Sequence, residues 1–149
     1  MNNDTFLEQL NELFSHEYNS VADYVLGSNP YCEEHERFAL KELEKIRDED
    51  KQHALKISTI ITRLEGLPIA GTFPYSIADI NYLSIKNSIH YVLEDKEKLI
   101  GLYERVLKAS KKYPSVQAGL MPLLEDQKKH VKLLNATIAR FSHPEKQSV

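Results

Sequence analysis

Residues 41–66 read "KELEKIRDEDKQHALKISTIITRLEG". Leu43, Ile46, Ile57, Ile60 and Leu64 recur at steps of three, four or several whole turns, the apolar stripe of an amphipathic helix. Nothing interrupts the pattern before Gly66, and Pro68 follows. The helix is therefore expected to end there, with glycine as the left-handed cap and proline as the breaker. Between Ile46 and Ile57 the stripe passes through Asp50 and His53. An acid three residues before a histidine places both side chains on one helix face, where they can share a metal ion. Taken alone, the pair reads equally well as a solvated polar surface.

Turn residues cut the rest of the chain into similar lengths. A first helix starts at Thr5, whose hydroxyl and Glu8 form a capping box, and stops at Gly27-Ser28-Asn29-Pro30. The second helix runs from about Cys32 to Glu65. A linker, "LPIAGTFPYS" at 67–76, leads to a third helix that starts near Ser76 or Asp79 and ends before Tyr113-Pro114. A fourth starts between Ser115 and Pro122 and ends near Phe141. Each carries its own stripe: Phe6, Leu10, Leu13, Val21 and Tyr24 in the first; Ile85, Ile89, Val92, Leu99, Tyr103 and Val106 in the third; Leu120, Leu124, Val131, Leu134, Ile138 and Phe141 in the fourth. Four such helices predict an all-α four-helix bundle. It forms a single domain over 1–149, with its core at about 5–141 and a short C-terminal tail.

Each stripe is broken near mid-length by a polar residue. Glu17 interrupts the first helix, Asp50 and His53 the second, Lys96 the third, and Gln127 and His130 the fourth. Burying one such group costs several kcal/mol unless it is paired or bound. Taken singly, Lys96 can snorkel outward, Gln127 can set bundle register, and each histidine can be a satisfied core residue. Taken together, they meet at one level of the bundle and either satisfy one another or hold an ion. His16, His35 and His90 lie off this level and read as surface residues.

The net charge is -3 and neither end carries a basic block, which argues against nucleic acid and anionic membranes as partners. No apolar run approaches the roughly 18 residues of a membrane span. The N-terminus has no basic segment followed by an apolar one, so no signal peptide is expected. The single Cys32 cannot form an internal disulfide, and a cytoplasmic location is expected.

With these residues in place, the chain from about 6 to 141 resembles the ferritin-like family, its bacterioferritin and rubrerythrin members in particular. Tyr24, seven residues after Glu17, and "RLEGLP" at 63–68 add to the resemblance. The proline-containing linker fits the long crossover between helices two and three of that fold. The resemblance implies a di-iron carboxylate centre: a glutamate on helices one and three, and Glu-x-x-His on helices two and four. Glu17 stands in the first slot, and Asp50 with His53 in the second. Lys96 falls in the third, and Gln127 with His130 in the fourth. The two histidines and one glutamate therefore match the family pattern, and three carboxylate positions depart from it. Glu94 or Glu97 remains as an alternative ligand on helix three, reached by a different register or a small rotation.

The departures change the charge balance. Two ferrous ions bring four positive charges. Glu17 and Asp50 supply two negative ones and Lys96 one positive, leaving the site at -1. The resemblance implies that Glu17, Asp50 and His53 serve one metal position, while Lys96 and His130 line the other. The expectation is a metal-binding protein of iron or oxidative-stress physiology with reduced or absent ferroxidase activity. It would hold one or two iron ions, with manganese or zinc as alternatives. Two rival readings stand beside it: a working iron-dependent ferroxidase or peroxide-reducing oxidase, and a metal-free bundle serving as an interaction or stress-response module. Lys51 occupies the position of the bacterioferritin haem methionine, so no haem is expected. The short tail argues against a large cage, and a homodimer through the outer faces of helices one and two is an open expectation.

Overall fold

A computed structural model describes residues 3–71 and 83–142. The helices are α1 (Asn3–Tyr18), α2 (Val21–Gly27), α3 (Arg37–Arg63), α4 (Ile85–Ala109) and α5 (Pro114–Ser142). α1 and α2 together make the first arm of a four-helix bundle, and α3, α4 and α5 make the others. The alternative starts of the third helix at Ser76 or Asp79 lie outside the described residues. α4 is capped at Ser84, whose hydroxyl oxygen accepts a hydrogen bond from the Asn87 backbone N–H.

Several boundaries differ from the sequence reading. α1 is already helical at Asn3, so Thr5 sits in its first turn rather than at its cap. The second arm begins with a short 3-10 turn at Glu34–Glu36, and Cys32 precedes it. A reciprocal capping box between Glu33 and Glu36 starts this arm. At its end the left-handed residue is Glu65 (φ 63°) instead of Gly66. At Gly66 an added Cβ would lie 2.7 Å from Leu7 Cδ2 and 3.0 Å from Ile61 Cγ2, so the Leu7 side chain would have to shift to admit it. α5 begins at Pro114, where the missing N–H is no loss, and it runs on through Pro122.

The main surprise is in the first arm. It breaks at Asn19-Ser20, immediately after Glu17 and Tyr18. Side chains near the break are committed elsewhere, which competes with helical continuation. Asn19 Nδ2 donates to the Gly71 carbonyl (2.8 Å), and Ser20 Oγ donates to Asp50 Oδ2 (2.7 Å). The crossover is laced to α1 by the same kind of contact. Asn11 donates to the Leu67 carbonyl and accepts from Ile69 N–H, while Ser15 Oγ accepts from Gly71 N–H.

The apolar stripes form two separate cores. One holds Phe6, Leu10, Leu13, Ile57, Leu99, Val106, Leu120 and Leu124; the other holds Val25, Leu43, Ile46, Ile85, Ile89, Val92 and Leu134. Between them lies the polar level that the interrupted stripes predict. Ile60, Leu64, Ile138 and Phe141 lie at the margins and are only half-buried.

Candidate metal centre

Glu17, Asp50, His53, Lys96, Gln127 and His130 all reach the bundle interior, each at most 2% exposed. Groups this deep are cut off from bulk water, so each is stabilised by partners inside the bundle. Asp50 is the hub. Lys96 Nζ donates to both of its oxygens at 2.6 Å, Ser20 Oγ donates to Oδ2, and Gln127 Nε2 donates to Oδ1 at 3.1 Å. Glu17 is the second acceptor. It takes hydrogen bonds from Gln127 Nε2 (2.9 Å to Oε2), from the Tyr103 hydroxyl and from His53 Nδ1 (3.0 Å).

The histidines are braced across the bundle. His53 of α3 turns Nε2 to Asp126 of α5, and His130 of α5 turns Nε2 to Glu49 of α3, both at 3.0 Å. In each case the brace is the residue just before the opposing helix's polar seam residue, Gln127 or Asp50. The arrangement is nearly two-fold, but its electrostatics are not. Burial disfavours a charge on His53, yet Glu17 and Asp126 on its two nitrogens outweigh this and raise its pKa. Burial and the Lys96 charge lower the pKa of His130, so His130 is neutral with its proton on Nε2 facing Glu49.

The carboxyls also diverge. Burial and the Asp50 charge raise the pKa of Glu17. Burial acts in the same direction on Asp50, but the Lys96 charge and hydrogen bonds, with the hydrogen bond from Ser20, hold it below the usual carboxylate range. Burial and the neighbouring Glu17 push the Tyr103 phenol well above its ordinary value, so it acts as a hydrogen-bond donor.

Residues 7–143 match the family described as the ferritin-like domain. The chain belongs to that family. A ferritin-like, diiron-carboxylate protein from Bacillus anthracis strain Ames has a similar solved structure, with a TM-score of 0.78 and 18% identity. The match covers 93% of this chain and 99% of that one. No curated protein matches the sequence. At that identity the likeness speaks for the fold, and the chemistry must come from this ferritin-like chain's own residues.

A pair of metal ions does not fit those residues. The Lys96 ammonium, 2.6 Å from both Asp50 oxygens, puts a positive charge beside the place of a second cation, and Gln127 brings an amide where a second carboxylate would be needed. The far half retains only neutral acceptors, Gln127 Oε1 and His130 Nδ1, both buried without a hydrogen-bond partner among the described residues. Glu17, Asp50 and His53 present ligand atoms within 4.8 Å of one another, a grouping that could hold a single ion. Glu94 and Glu97 are both exposed, and Glu94 faces Lys98 at 3.4 Å, so neither reaches this level. Lys51 is exposed on the outer face of α3. His16 is half-buried rather than on the surface, 2.8 Å from Asp95.

The sequence reading missed four participants. Ser20 was hidden by the unexpected helix break. Tyr103 was counted as apolar, although its place seven residues after Lys96 put it on the same face. Glu49 and Asp126 each precede a seam residue, and only the helix packing shows that they turn toward the opposite histidine.

Proposed function

We propose that this ferritin-like protein binds one divalent metal ion, iron in the first instance, through Glu17, Asp50 and His53, and does not carry out two-iron oxidation of Fe(II). The observation that carries this reading is the Lys96 ammonium, 2.6 Å from both oxygens of Asp50. It supplies a fixed positive charge where a second cation would need carboxylates. Bound there, an ion would supply Lewis acidity or one-electron redox chemistry. The chain's own groups do the rest: Asp126 orients His53, Tyr103 and Gln127 orient Glu17, and Lys96 holds Asp50.

A metal-free module is the second reading, and a specific balance favours it. The buried Glu17 and Asp50 carboxylates are matched by Lys96 and by a His53 flanked on both nitrogens by acids. Lys96 and an imidazole of raised pKa thus offset the two buried carboxylates without an ion, with the half-exposed Asp126 at the edge of the cluster. A role in iron or oxidative-stress physiology rests on the family resemblance. Pairing of two copies through the outer faces of α1 and α3 belongs to the same proposal. It is supported by a groove of about 500 Å³ lined by Phe14, Tyr18 and Leu55 and rimmed by Asp23 and Lys51.

Anaerobic titration with Fe(II), Mn(II) and Zn(II), with element analysis of the purified protein, tests the reading. One ion per chain is expected, and none supports the metal-free module. Two irons per chain with rapid oxidation overturn both. The double substitution Lys96→Glu with Gln127→Glu is expected to raise the capacity to two, and no gain would reject the assignment of these positions.

A further inference from the structure

A cleft of about 550 Å³ opens between α3 and α5, on the side of the bundle where His130 lies under the surface. Lys45 lines it from α3, and Lys129 and Lys132 from α5. Glu49 and Asp126 lie on its walls. On an ordinary helix surface these charges would pair locally, Lys45 with Glu49 at i,i+4 and Lys129 with Asp126 at i,i+3. They do not. Glu49 is turned inward to His130 Nε2 and Asp126 to His53 Nε2, both at 3.0 Å. None of the three lysines forms an ion pair among the described residues, whereas Lys98 and Lys128 do.

We propose that this cleft binds a phosphate-class oxyanion, held by Lys45, Lys129 and Lys132. The buried histidines draw the two carboxylates away from their natural lysine partners and leave three lysines without an ion pair lining one concavity. Ammonium groups on long, flexible stems can converge as point charges on a tetrahedral oxyanion. One oxygen of each wall carboxylate is turned toward an imidazole nitrogen, and three lysines outnumber the two carboxylates in the cleft. The same rim repels a cation approaching from this side. The inference is independent of the metal reading, because it needs only the geometry of the two braces and the lysines.

The test is titration of the full-length protein with inorganic phosphate at constant ionic strength set by chloride, followed by calorimetry and by ³¹P line width. Saturable binding of one phosphate per chain is expected. The triple variant Lys45→Gln, Lys129→Gln, Lys132→Gln should weaken it by about tenfold or more. A control triple on other exposed lysines, Lys86→Gln, Lys111→Gln, Lys112→Gln, should leave it within about twofold. All six side chains are exposed, so both variants should keep the helical circular-dichroism signal of the parent. No saturable binding at millimolar phosphate, or equal weakening by the two triples, overturns the proposal. A parallel titration with phenyl phosphate separates two supporting outcomes: binding of both assigns the site to phosphomonoesters, and binding of phosphate alone assigns it to the free ion.

Discussion

Lys96 Nζ stands 2.6 Å from each carboxylate oxygen of Asp50, with both side chains at most 2% exposed. A buried pair of this kind contributes little relative to an apolar pair, but its halves cannot be separated cheaply. Lys96→Met is therefore expected to destabilise the metal-free protein by about 3–5 kcal/mol, because Asp50 loses its compensating charge. Urea denaturation at neutral pH measures this. Adding Zn(II) or Mn(II) should restore part of the loss. A change under about 1 kcal/mol would show that Lys96 is not the charge that holds Asp50.

The two histidine braces should separate by function. Asp126→Asn alters the group that orients His53, and should weaken the single-ion affinity by about 10–100-fold. Glu49→Gln alters the brace of His130, which lies outside the one-ion set, and should change that affinity by less than about threefold. Competition with a chromogenic chelator reads both. Equal losses would mean that His130 is a ligand after all.

Tyr103→Phe removes the hydroxyl that donates to Glu17 and leaves the ring in the core. A buried acceptor then loses one of its donors, and a loss of about 1–3 kcal/mol in chemical denaturation is expected. An unchanged midpoint would show that Gln127 and His53 satisfy Glu17 unaided.

His16 gives a pH signature away from the hub. Burial opposes its charge, but the hydrogen bond and charge of Asp95, then Glu17, outweigh this and raise its pKa above 6.5. A raised folded-state pKa stabilises the fold fully below the unfolded value, and the contribution disappears as pH rises through the folded one. The stability gap between the parent and Asp95→Asn should thus be widest below about pH 6.5 and should narrow on going alkaline. A gap that widens with pH would reverse the assignment. Thermal or urea unfolding across a pH series provides the measurement.

Much of the centre was legible because helical periodicity is a strong constraint. Glu17, Asp50, His53, Lys96, Gln127 and His130 each interrupt an apolar stripe, and a stripe of fixed pitch predicts which side chain faces inward. All six are buried at one level between two apolar cores. The same logic favoured Lys96 over Glu94 and Glu97, which are exposed. Periodicity is blind to two things. It does not say where a helix breaks, since Asn19 and Ser20 are tolerable in a helix until a distant carbonyl and carboxylate compete for them. It also does not say which way an edge residue turns, so Glu49 and Asp126 read as ordinary surface acids.

The amino-acid sequence by itself determined the four-helix architecture, the polar level and its unusual charge, because these depend on residue type and spacing along single helices. Only the tertiary structure decided what that level does with its charges. Lys96 closes on Asp50, Gln127 bridges Asp50 and Glu17, and each histidine takes an acid from the opposite helix. Those choices depend on distances across the bundle, where burial makes every polar atom seek the nearest partner whatever its place in the chain.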